Sequence, residues 1–108
     1  MERYGRVVHL LPDKIEEYKQ LHVSVWPSVL QTIRACNIRN YSIFYRDGYL
    51  FSYFEHVGAD FQADMAKMLE DKPTRQFGAI CEPMQKPLAT AAKGELWTFM
   101  EEVFHCES

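Results

Sequence analysis

The dipeptide Asp47-Gly48 constrains this chain more than any other feature. It stands between two runs of β-forming residues, IRNYSIFYR over 38–46 and YLFSYFEHV over 49–57. A two-residue hairpin needs positive φ at both central positions, and Asp-Gly supplies it at low steric cost. The two runs therefore read as an antiparallel hairpin. Ahead of it, RYGRVVHLL over 3–11 reads as a strand that stops at Pro12-Asp13. From Asp13 the period lengthens: Ile15, Tyr18, His22, Val25, Val29 and Ile33 recur at steps of three and four and share one helical face. Pro27 falls inside that pattern. It has no N–H for the carbonyl of Val23, and it biases Trp26 away from helical geometry. The expectation is one helix ending near Val25 and another starting at Pro27.

After the hairpin, Gly58 to Asp60 open a second helical region with Phe61, Met65, Met68 and Leu69 on its apolar side. Pro73 interrupts it, and a further helical segment follows over roughly 74–82. Residues 83–95 read as a loop and LWTFMEEVFH over 96–105 as a final strand. The order β-α-β-β-α-β predicts an α+β, ferredoxin-like split βαβ fold. That is one antiparallel sheet with helices on one face, in a single domain over 1–108. In such a sheet the uncovered face should be polar. Here Tyr49, Phe51, Tyr53 and Val57 point one way while Leu50 and Phe54 point the other; in the last strand Trp97, Phe99 and Val103 oppose Met100 and Phe104. Two apolar faces need two covers, so the pattern predicts a homodimer packed through its sheet faces, a dimeric α+β sandwich or barrel.

Composition narrows the partners. The 108 residues are 47% hydrophobic and 25% charged, with a net charge of −3, and there is no Lys/Arg run. The long-range field that holds phosphate backbones is missing, so nucleic acid is not expected as a partner. No apolar run approaches the ~20 residues of a membrane span, and the N-terminal stretch does not read as a signal peptide. Cys36, Cys81 and Cys106 are widely spaced and include no CxxC pair, which suggests free thiols and a cytoplasmic protein rather than a disulfide framework or a zinc site. No metal-ligand spacing and no Gly-rich phosphate loop occurs, so neither metal nor cofactor is expected.

Two residues invite chemistry. Tyr18 and His22 lie one turn apart on a single helical face. Histidine exchanges protons near neutral pH, and tyrosine offers a donor and acceptor on an apolar body. Such a pair holds a polar ligand and passes it a proton, or it is a satisfied core histidine beside a packed tyrosine. The helix by itself leaves both open. Tyr41, on the second strand, either faces the same cavity or reflects ordinary β-propensity. Glu55, Glu101 and Glu102 are carboxylates on strands that serve as a base if they point inward.

PDKIEEYKQLHVSVWPSV over 12–29 resembles the PD-x-x-x-EY-x-x-x-H-x-x-x-WP pattern of the L-rhamnose mutarotase family. NYSIF at 40–44 resembles that family's second strand, and EVF at 102–104 its closing strand. The resemblance implies a dimeric ferredoxin-like sandwich and a reaction: cofactor-free interconversion of the α and β anomers of a 6-deoxy-L-sugar such as L-rhamnose or L-fucose. It places the proton-donating histidine on His22 and sugar-contacting tyrosines on Tyr18 and Tyr41. Trp26 is expected to close around the pocket. The second proton-transfer group is Tyr41, Glu102 or a water. Where the rhamnose enzymes carry two adjacent tryptophans, this chain has Gln76 and Phe77, an amide in place of one aromatic wall. Phe77 together with Trp97 is similar to the branch described as L-fucose mutarotases. The same scaffold also suits a cofactor-free or haem-associated monooxygenase with His22 or His9 as axial ligand, or a non-catalytic sugar-binding domain.

Overall fold

In the computed structural model, which describes residues 1–107, the Asp47-Gly48 turn has φ of 50° and 85°. The hairpin it closes joins β2 (Ile38–Arg46) to β3 (Tyr49–His56), nearly the expected bounds. β1 (Glu2–Leu10) pairs antiparallel with the far edge of β3, from Glu2 opposite His56 to His9 opposite Tyr49. The free side of β1 takes two short strands: β4 (Gln85–Lys86) beside His9 and Leu10, and β5 (Thr98–Met100) beside Gly5 to Val7. The resulting order, β2-β3-β1 with β4 and β5 on the outer edge, is that of a split βαβ fold.

Two helical regions cross one face, and each is broken, the first at Pro27 and the second at Asp71, two residues before Pro73. α1 spans Ile15–Leu21 and α2 Pro27–Ala35. Trp26 is extended at φ −54°, ψ 131°, the conformation Pro27 imposes on its predecessor, and Pro27 opens α2 at the position where a missing N–H costs nothing. α1 ends four residues earlier than its apolar pattern, at Leu21, because His22 already leaves the helix as its C-terminal cap. α3 (Phe61–Glu70) and α4 (Lys72–Cys81) meet at Asp71, whose side chain accepts from the backbone N–H of Thr74 and caps α4. The core lies between sheet and helices: Val8, Leu10 and Leu50 from the sheet meet Tyr18, Val29, Phe77 and Cys81 from the helices, with Met84 below β4.

Two expectations are corrected. The last strand is three residues long, not ten; residues 101–107 have no regular structure and are exposed. The apolar residues of 101–105 are therefore not spent on strand pairing within this chain. Conversely, residues 83–95 are not loop throughout. A 3-10 turn over Glu82–Met84 leads into β4, and it went unseen because two residues are too few to show a period.

Candidate functional site

A cavity of about 730 Å³ opens between the sheet and α1, α3 and α4. That is inside the ~300–1,000 Å³ range of small-molecule sites. Its walls are mostly apolar, with Phe54, Phe61, Phe77, Trp97 and Phe99 among them, and its polar groups include Arg6, Tyr18, His22, Tyr41 and Gln85.

His22 reaches the cavity because α1 stops there. Its Nδ1 lies 2.8 Å from the carbonyl oxygen of Tyr18. A carbonyl only accepts, so Nδ1 carries the hydrogen and donates it. In the neutral ring Nε2 is then the free acceptor, and in the protonated ring it is a donor. The imidazole is held by two rings: it stacks on Tyr18 at 4.2 Å between centroids and meets Phe77 edge-on at 5.5 Å. Trp26 does not line the cavity. It packs edge-on against Phe77 at 5.2 Å and so supports a ring that does line it.

The two tyrosines differ. Tyr18 is only 4% exposed, and burial raises its phenol well above the ordinary tyrosine range, so it stays protonated. Gln85 Nε2 donates to its oxygen at 3.4 Å. Tyr41 reaches the cavity through a bulge. Arg39 pairs with Glu55 and Ser42 with Tyr53, so Asn40 and Tyr41 together oppose the single residue Phe54. Asn40 absorbs the extra position at φ 53° and donates outward to Glu55 at 2.8 Å. Tyr41 takes the inner place. Strict alternation from Ile38 would have turned it to the other face.

Gln76 lies outside this arrangement. It is exposed on α4 and does not line the cavity, whereas its neighbour Phe77 is buried there. Consecutive helical residues project about 100° apart, and here that step turns Gln76 out of the cavity that Phe77 faces. Glu102 is also elsewhere: it accepts from Arg3 at 2.8 and 3.1 Å, and that ion pair holds its carboxyl below the usual range. Cys81 lines the cavity, but burial pushes its thiol up to about 11 and leaves it unreactive near neutral pH.

Arg6 was missed from sequence. Tyr4, Arg6, Val8 and Leu10 alternate onto the helix side of β1, and an arginine in that series was the available signal. It lies opposite the small, buried Ser52, which leaves room for the guanidinium. Gln85 was missed because β4 was.

A model of the L-rhamnose mutarotase family matches residues 3–106. The chain belongs to the L-rhamnose mutarotase family. Curated relatives include L-rhamnose mutarotases from Bacillus subtilis, 39% identical across 80% of this chain and 82% of its own, and from Burkholderia cenocepacia, 31% identical across 99% and 100%. Among solved structures, an L-rhamnose mutarotase from Formosa agariphila superposes with a TM-score of 0.78 at 19% identity, covering 99% of this chain and all of that one. Tetracenomycin F2 cyclase from Streptomyces glaucescens superposes at 0.72 with 12% identity, covering 100% and 99%. A mutarotase and a polyketide cyclase thus share this architecture, and fold alone does not choose between chemistries. No group of three or more His, Cys, Asp or Glu side chains placed to hold a metal occurs among the described residues. Among the described residues, no helix is long and apolar enough to cross a membrane.

Proposed function

We propose that this chain is an aldose 1-epimerase that interconverts the α and β anomers of L-rhamnose or a close 6-deoxy-L relative such as L-fucose. Family membership supports the reaction, and one observation carries the mechanism. His22 has Nδ1 committed to the Tyr18 carbonyl, which leaves Nε2 inside an aromatic cavity to take and return a proton. Mutarotation needs the C1 hydroxyl to lose a proton and the ring oxygen to gain one. The pyranose then opens to a neutral aldehyde, the C1–C2 bond rotates, and the ring recloses on the other face. An imidazole nitrogen that can both accept and donate a proton does this in both directions. Phe77 and Trp97 offer flat apolar surfaces to the sugar's C–H face, while Tyr18 and Gln85 supply hydroxyl partners. Gln85 Oε1 is buried without a partner among the described residues. The choice of sugar follows from the wall at Phe77, which has no second aromatic beside it in sequence.

Saturation-transfer NMR on L-rhamnose and L-fucose tests the reading. The protein should accelerate anomer exchange of at least one sugar, and His22→Ala should lose on the order of 10²-fold or more with its fold intact. Exchange no faster than buffer in the presence of folded protein would sink it.

The outer sheet face bears on assembly. Phe44 is 63% exposed, and Tyr49 and Met100 are exposed on the same side. Val103 and Phe104 extend beyond β5 at 89% and 81% exposure. A second copy of this sheet is the cover we propose for them, giving a homodimer. The unpaired cysteines fit a reducing compartment, which we read as the cytoplasm. Sedimentation equilibrium at micromolar concentration should give twice the chain mass, and Phe44→Glu should shift it toward the monomer. A wild-type monomer at that concentration excludes the dimer.

A further inference from the structure

Mutarotation requires two proton-transfer groups, and His22 is one. We infer that Tyr41 is the other and that Arg6 is its positioning residue; this rests on the mutarotase reading above.

Arg6 projects from the middle of β1 onto the helix side of the sheet, between Ser52 of β3 and Phe99 of β5. A charged side chain in that row is costly unless something uses the charge. Among the described residues no carboxylate pairs with it. Its guanidinium instead lies 4.8 Å from the Trp97 ring centre and 5.2 Å from that of Phe54. Nε donates to Ser52 Oγ at 3.2 Å, and Nη2 donates to the phenolic oxygen of Tyr41 at 2.7 Å. Ser52 and the rings hold the plane of the guanidinium, and the guanidinium holds Tyr41.

The consequence for Tyr41 is directional. Its oxygen accepts from Arg6, so its own O–H is left to donate to something else, and it lines the same cavity as His22 Nε2. Tyr18 does not suit the role: it is only 4% exposed, and its oxygen receives a neutral amide rather than a charge. Glu102 does not suit it because it is outside the cavity and tied to Arg3. In the step that follows, His22 Nε2 takes the proton of the C1 hydroxyl and the O–H electron pair becomes the second C1–O bond. The bond from C1 to the ring oxygen breaks and its pair stays on that oxygen, which takes the Tyr41 proton. The products are imidazolium, aldehyde and phenolate. The phenolate's charge arises 2.7 Å from a guanidinium that no carboxylate has neutralised. After the C1–C2 rotation both protons return by the reverse transfers, so no oxidant, reductant or co-reactant is consumed.

The test measures sugar exchange by saturation-transfer NMR against sugar concentration for Arg6→Met, Arg6→Lys, Tyr41→Phe and the double variant Arg6→Met/Tyr41→Phe. Methionine keeps an apolar stem against Trp97 and Phe54 while removing donor and charge. Arg6→Met and Tyr41→Phe should each lower the maximal rate by on the order of 10²-fold with half-saturation changed less than about threefold. The double variant should be no slower than the slower single, because the two act as a unit. Arg6→Lys should recover about tenfold over Arg6→Met, since the charge is retained but the fork is lost. An Arg6→Met variant that raises half-saturation at an intact maximal rate, or losses that multiply in the double variant, would overturn the assignment. Should Arg6→Met fail to fold, Ser52→Ala, which releases Nε but leaves the charge, must lower the maximal rate; an unchanged rate overturns the assignment equally. A wild-type protein that accelerates no sugar removes the mutarotase reading itself and this inference with it.

Discussion

Side by side, His22 and His56 show how differently one residue type is used. His22 leaves Nε2 free in a cavity. His56 is 1% exposed, and its Nε2 lies 2.6 Å from Asp64 Oδ2. The carboxylate only accepts, so Nε2 carries the hydrogen, and Asn37 Nδ2 donates to the same oxygen at 3.0 Å. This network pins α3 to the ends of β2 and β3, and Gly58 makes it fit. A Cβ there would stand 2.6 Å from Asp64 Oδ2, 2.7 Å from Asn37 Nδ2 and 3.0 Å from His56 Nε2. None of these atoms can retreat without giving up a buried hydrogen bond. Gly58→Ala should therefore cost about 2 kcal/mol in urea unfolding, while exchange activity per folded molecule stays near wild type. A variant as stable as wild type would show that the network is slack. Strand and helix periods assigned each histidine a face but not a partner, so what each ring bonds to was visible only in the structure.

Between elements, the informative joints are places where a regular pattern is broken. Pro27 was legible as a break, because its missing N–H and the restraint on Trp26 are local. The bulge at Asn40 was not, because Asn-Tyr in a strand carries no period of its own. Among the described residues, the three non-glycine positions at positive φ are Asn37, Asn40 and Asp47, the types that tolerate the left-handed region best. Only Asp47, followed by glycine, announced itself. If the bulge is what aims Tyr41 inward, Asn40→Val should lower stability by about 1–2 kcal/mol through left-handed strain. It should also slow exchange on the order of tenfold or more through misplacement of Tyr41. Asn40→Gly, which accepts that φ, should keep exchange within about threefold. Equal activity in the two variants would separate the bulge from the aim of Tyr41.

At the level of the molecule, stability should follow a dome in pH. Asp64 is held below its ordinary value by hydrogen bonds from Asn37 and His56, and Asp71 by Thr74 and then Thr32. Groups with depressed folded values contribute stability above the unfolded carboxylate value near 3.9 and lose it as pH falls through the folded value. On the alkaline side the sign reverses. Burial raises Cys81 from 9.0 to about 11, and Tyr18 is raised as well. Their neutral forms are favoured in the folded state, so stability is full below pH 9.0 and falls as the thiol passes toward about 11. The melting temperature should stay nearly flat from about pH 5 to 8 and drop on either side. A steep change between pH 5 and 8 would mean that a group other than these governs folding.

Several things were settled by local physics in the 108 residues: the hairpin at Asp47-Gly48, the break at Pro27, the β-α-β-β-α-β order and the pairing of Tyr18 with His22 across one helical turn. Each depends on a period or a dihedral preference that a few neighbouring residues carry. Tertiary structure decided the rest. It showed which of Gln76 and Phe77 faces the cavity, that Tyr41 turns inward through a bulge, and that Glu102 is taken by Arg3. It also brought Arg6, from the middle of the first strand, against a phenol 35 residues away. Contacts of that kind depend on strand register and on which side chains leave room, and no short window of sequence contains either.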